Sequence, residues 1–199
     1  DDDTTAALLK LLGPIGGPAI GLVTLRWLIR ASWPCSNAPI VFNSVLMLCD
    51  KTHDLERGLQ VYDMMKDQGA KPDSFTFNLL ISICRMRGEY AKAFEIFKEL
   101  QDTEGAVANS FTYATLIEAC NFRKGGHCDK ALYAFKCLLD AGIDPPDFIK
   151  TELLSTIENG MRRLHLEGAL KVFEGLEKVG MSNNTRAYNA VLQACARAG

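Results

Sequence analysis

Seven cysteines, three histidines and an opening run of three aspartates carry the most obvious chemistry in this 199-residue chain. A zinc or redox site needs its ligands clustered. No two cysteines form a CxxC pair, and the closest are Cys120 and Cys128. Cys49, Cys84, Cys120 and Cys195 instead recur at one place in a repeating pattern, as small core hydrophobes do. Reduced core thiols are expected; a disulfide pair or a zinc site is the alternative that this spacing disfavours. His53, His127 and His165 fall in or near turns between helical segments, where an imidazole is ordinarily solvated. Asp1, Asp2 and Asp3 read as a solvated run. GPIGGPAIG at 13–21 is glycine-rich but lacks the strand–turn–helix setting and the lysine of a phosphate loop. The expectation is no catalytic residue, no metal and no cofactor.

The elements that position these residues come from a repeat. SFTFNLLISIC at 74–84 returns as SFTYATLIEAC at 110–120, 36 residues later. Asn43, Asn78, Ala114 and Asn189 each follow an aromatic residue, and Thr151 stands at the same station in DFIKTELLSTI. The four recurrent cysteines lie six residues past that station. A second half-unit follows each first half: LERGLQVYDMM, YAKAFEIFKEL, CDKALYAFKCLL and LEGALKVFEGL. Each carries a small residue (Gly58, Ala93, Ala131, Ala169) and an aromatic four residues on (Tyr62, Phe97, Phe135, Phe173). The small residue lets two helices approach, and the aromatic fills the space on the same face. Apolar steps of three and four residues make each half an amphipathic helix.

Breakers end the pairs: GAKPD at 69–73, GIDPPD at 142–147 and GMSNN at 180–184. The unit is helix, turn, helix, breaker. One pair cannot cover its own apolar face, so neighbours must stack. The expected fold is all-α, a right-handed α-solenoid. The expected repeats run over about 39–73, 74–109, 110–146, 147–184 and an incomplete 185–199. Insertions at 122–130 and 158–168 fall in inter-helix turns.

Residues 1–38 differ from the rest. From Ala6 to Ile29 the only charges are Lys10 and Arg26, and Pro14 and Pro18 interrupt the stretch. Three readings stay open: a helix capping the solenoid, a membrane-contacting helix within Ala6–Ala31, or a retained targeting remnant. Formal net charge is −2, and residues 39–199 hold 19 basic against 21 acidic side chains. No global field draws phosphate to this chain.

FNSVLMLCDK, LERGLQVYDMMKDQGAKPD, TFNLLISICRMRGEYAKAFEIFKEL and AYNAVLQACARAG together resemble the pentatricopeptide repeat family, over residues 39–199. The resemblance implies an organellar protein, in chloroplast or mitochondrion, that binds single-stranded RNA at about one base per repeat. Each base is then read by the side chain after the opening aromatic and by the last residue of the same repeat. Asn43 with Asp73 is the pair associated with uracil. Asn78 with Asn109 is associated with pyrimidines, and Thr151 with Asn184 with adenine. Ala114 with Pro146 fits no reading pair, and Asn189 has no partner in the sequence. The residue that wedges between bases is Ile40 in the first repeat. Phe75, Phe111 and Phe148 are bulkier there, and Arg186 is charged. Phosphate contacts fall to Lys51, Arg85, Arg87 and Arg197. The rival expectation is a scaffold subunit of a large organellar complex, thylakoid or inner-mitochondrial, with protein partners and no RNA role; three usable pairs alone bind RNA weakly, so an RNA binder of this size is expected to need a homodimer, further repeats or a protein co-factor.

Overall fold

The structure, a computed structural model, describes residues 17–31, 38–121, 127–161, 166–181 and 184–198. The segment before residue 17, Trp33, Cys35, His165 and the insertion at 122–126 lie outside the described residues. Ten helices follow one another among the described residues, with no strand: α1 (17–30), α2 (Pro39–Thr52), α3 (Leu55–Asp67), α4 (Ser74–Arg87), α5 (Tyr90–Asp102), α6 (Ser110–Asn121), α7 (Cys128–Asp140), α8 (Asp147–Met161), α9 (Leu166–Lys178) and α10 (Thr185–Ala198). The chain divides into two compact units, residues 1–107 and 108–199, where the sequence reads as one array.

Within the first unit α2 packs on α3 and on α4, and α4 on α5. Within the second, α6 packs on α7 and α8, and α8 on α9 and α10. Within each unit, then, a first helix touches its own second helix and the first helix that follows: α2 meets α4, α6 meets α8, and α8 meets α10. The small residue and its aromatic make this possible. Ala93 and Ala131 are fully buried, and Phe97 and Phe135 lie buried one turn further along. Each buried aromatic contributes roughly 1.5–3 kcal/mol relative to exposure. At Gly58 of α3, a Cβ would stand 3.1 Å from Ile83 Cδ1, so glycine there permits the close approach of α3 and α4.

α1 packs on α2 through the same kind of contact. A Cβ on Gly21 would lie 3.2 Å from Leu48 Cδ1, and Leu48 precedes Ile83 by one period. Leu22, Leu25 and Leu28 are buried, while Val23 and Trp27 are exposed on the other side. Among the described residues no helix is long and apolar enough to cross a membrane.

Several of the chemically suggestive residues find structural roles among the described residues. His53 ends α2 in the left-handed conformation, with φ 55°, and its N–H bonds the carbonyls of Asp50 and Cys49. Gly88, one period on, ends α4 in the same way. Histidine tolerates this region better than most side chains. Cys49, Cys84 and Cys120 are fully buried, and Cys128 nearly so. Burial pushes all four thiols up to about 12, so they are protonated at neutral pH.

Candidate functional site

The last residue of one repeat is the cap of the next. Asp73 N-caps α4: its Oδ1 accepts the Thr76 N–H at 2.7 Å, and Thr76 Oγ1 accepts the Asp73 N–H at 3.2 Å. Asn109 repeats this at α6, with 3.0 Å from the Thr112 N–H to Oδ1 and 3.1 Å from its own N–H to Thr112 Oγ1. Both are reciprocal capping boxes, which satisfy amide groups a helix start leaves open.

Capping holds Asp73 beside Asn43 of α2. Asn43 Nδ2 donates to Asp73 Oδ1 at 3.3 Å, and Asn43 Oδ1 accepts the Thr76 hydroxyl at 2.7 Å. The amide nitrogen must face the carboxylate, because the opposite orientation would set oxygen against anionic oxygen. A cavity of about 440 Å³ opens here, lined by Ile40, Asn43, Ser44, Met47, Asp73 and Phe75. Ile40 and Phe75, 40% and 50% exposed, give it apolar walls, and Asn43 and Asp73 give it a polar edge. A flat ring fits such walls, and its hydrogen-bonding edge would meet the amide and carboxylate.

The remaining candidate residues are placed unevenly. Asn78 is buried in the first unit, while Asn109 belongs to the second. Thr151 is exposed, and its hydroxyl donates to the Asp147 carbonyl of its own helix at 2.8 Å. Asn184 turns its Oδ1 to the Arg186 N–H at 2.9 Å. The structure thus brings Asn43 and Asp73 together, while Thr151 and Asn184 are bonded within their own segments. Ala114 is buried, and Asn189 is exposed on α10.

Lys51 is exposed in the last turn of α2. Arg85 is half-buried. Arg87 is exposed and lines a polar cavity with His53, Asp54, Arg57 and Glu89. Burial opposes ionisation of Asp54, but the Arg57 N–H and guanidinium outweigh it and hold this carboxyl below its usual range; Arg87 adds to the effect. The side chain of Arg197 lies outside the described set. Among the described residues, no group of three His, Cys, Asp or Glu side chains could hold a metal.

Two features escaped the sequence reading. Thr76 joins both members of the first pair, and its signal was the repeated Asp/Asn-Ser-Phe-Thr at 73–76 and 109–112. Arg186, at the wedge station of the last repeat, pairs with Glu158 of α8 through Nε and a terminal nitrogen, both at 2.9 Å. No local spacing in the sequence announces that pair.

Residues 37–199 match the family model described as the pentacotripeptide-repeat region of PRORP. The chain belongs to the pentatricopeptide repeat family. It is 30% identical over 95 residues to a chloroplastic pentatricopeptide repeat-containing protein of Arabidopsis thaliana, covering 48% of this chain and 13% of that protein. Solved structures agree on the fold, an all-α solenoid of stacked helix pairs. PPR10 in complex with an 18-nt psaJ RNA element superposes with a TM-score of 0.62 at 20% identity, over 98% of this chain and 27% of that one. Nuclear proteinaceous RNase P 2 of A. thaliana gives 0.68 at 17%, over 97% and 41%. The pentatricopeptide domain of A. thaliana protein-only RNase P 1, in complex with tRNA, gives 0.61 at 17%, over 96% and 99%. The chain spans only a small part of the curated relative and less than half of the first two of these structures.

Proposed function

We propose that this chain binds single-stranded RNA along the face carrying Ile40, Asn43 and Phe75, and that it does so in an organelle, supporting RNA processing, splicing, stability or translation. The observation that carries the reading is the slot: two exposed apolar walls flanking an amide–carboxylate edge. One Asn43 Nδ2 hydrogen goes to Asp73, which leaves the second as a donor. Asp73 Oδ2 takes part in none of the bonds described and is an acceptor. Uracil offers the matching edge, an N3–H beside a carbonyl oxygen. Held in that same register between the two walls, cytosine would turn the N3 lone pair toward the carboxylate. Phe75 supplies a stacking surface and Lys51 a positive charge at the end of α2.

The similarity to PPR10 and to the RNase P 1 domain, both solved with RNA, supports the reading, and the relative named as chloroplastic supports the compartment. α1 serves as the second helix of a degenerate preceding pair and covers α2. The catalytic activity of the RNase P relatives is not carried over, because the matched region is their repeat domain.

The test is fluorescence anisotropy with labelled oligo(U), oligo(C) and oligo(A) at low and at physiological salt. Oligo(U) should bind most tightly, with affinity falling steeply as salt rises. No binding at low ionic strength would overturn the proposal. Recovery of the protein in a carbonate-washed membrane pellet with a complex free of RNA would favour the scaffold role instead.

A further inference from the structure

Asn43 and Asp73 are on different helices, and each has rotatable bonds. Something must hold them in one arrangement if the slot is to discriminate between bases. The side chain that touches both is Thr76, which is fully buried. Its Oγ1 lies 2.7 Å from Asn43 Oδ1 and 2.8 Å from Asp73 Oδ1, and it also accepts the Asp73 N–H. A hydroxyl has one hydrogen to give. Asp73 Oδ1 already receives the Thr76 N–H and the Asn43 amide. Asn43 Oδ1 is bonded to nothing else among the described residues, so the hydroxyl hydrogen belongs there. The Asn43–Asp73 bond, 3.3 Å, is the longest in the cluster and is weak on its own.

We infer that Thr76 is a positioning residue for base recognition: its hydroxyl anchors the Asn43 oxygen while the Asp73 carboxylate holds the nitrogen, and the second anchor locks the amide in the one arrangement that gives the slot its donor–acceptor order. The inference rests on the RNA-binding reading above. It also distinguishes the repeats. Thr112 stands in the same relation to Asn109, whereas position 149, three residues after Pro146, is isoleucine and position 187, three after Asn184, is alanine. A reading pair at the fourth repeat lacks this lock.

Thr76→Val removes the hydroxyl at nearly constant volume and leaves the backbone N–H that caps through Asp73. Stability falls in either view, because the variant strands polar groups, so affinity alone decides nothing. The deciding quantity is the ratio of oligo(U) to oligo(C) affinity. It should drop by about fivefold or more in Thr76→Val, the worth of one hydrogen bond, and return in Thr76→Ser, which restores the hydroxyl. A wild-type ratio in Thr76→Val overturns the inference while leaving RNA binding intact. Side-chain amide exchange, read by NMR on the RNA-free protein, tests the lock separately, with Asn43→Asp assigning the signal. The Asn43 NH2 protons should exchange at least several-fold faster in Thr76→Ala than in Thr76→Ser; equal rates overturn the inference. Failure of the wild-type chain to bind either oligonucleotide overturns the parent reading and this one with it.

Discussion

The station between α2 and α4 and the station between α8 and α10 rest on the same scaffold and end differently. In the first, Asn43, Asp73 and Thr76 bond to one another across two helices, and Asn43 and Asp73 line a cavity. In the other, Thr151 bonds its own Asp147 carbonyl and Asn184 its own segment. The wedge station differs as well: Phe75 is half-exposed and carries no charge, while Arg186 is held by Glu158. Core packing makes the helix pairs alike in both units. In the proposed reading, whether a pair presents a hydrogen-bonding edge depends on a third residue outside it, one turn into the next helix.

The largest expected effect treats both units alike, and so tests whether each has the same kind of core. The four buried thiols have folded values near 12, against about 9.0 for a free cysteine. The fold favours the protonated form. Its contribution is intact below pH 9 and is lost as pH rises from 9 toward 12, because the unfolded chain releases those protons first. Urea midpoints should fall over that window, and Cys84→Val and Cys120→Val should shrink the fall by similar amounts. A smaller fall in only one of the two variants would show that the two cores are not alike.

Binding should then separate the units. Phe75→Ala should weaken oligo(U) binding about 5- to 100-fold, from the ~1–3 kcal/mol of a stacked base. Phe148→Ala, at the same station and 57% exposed, should cost less than about threefold, within the range of a surface change. Equal losses in anisotropy titrations would erase the distinction. Asp73→Asn sharpens it, since asparagine caps a helix as well as aspartate does. Melting should be nearly unchanged, and the oligo(U) to oligo(C) ratio should fall about tenfold, in line with a lost hydrogen bond to a charged group.

The fold was legible because it is written in period. Small residue, aromatic four on, and Gly-Pro stops specify helices and their close faces before any contact is known, and Gly58, Phe97 and Gly69 sit in the structure as those rules require. That Asn43 meets Asp73 was suggested only by family resemblance; nothing in the residues themselves says so. Thr76 was missed because a threonine at the third helical position reads as a helix-start preference, and its second bond runs to a residue 33 positions away. The same distance problem hid the Arg186–Glu158 pair. His53 was legible as a turn residue, though its left-handed backbone was not, since histidine is rarely chosen over glycine there.

The smallest predicted effect concerns that last pair. Arg186 and Glu158 are 46% and 33% exposed, so water and salt screen them, and a bidentate geometry is what raises them above an ordinary surface contact. A double-mutant cycle with Arg186→Gln and Glu158→Gln should yield a coupling of about 0.2–1 kcal/mol in urea unfolding, shrinking toward zero in about 1 M salt. The same variants should leave oligo(U) affinity within about twofold, because neither residue lines the slot. A coupling that persists at high salt, or a larger change in binding, would mean that this arginine acts on the ligand rather than on the helix beside it, and the wedge stations of the two units would then be alike after all.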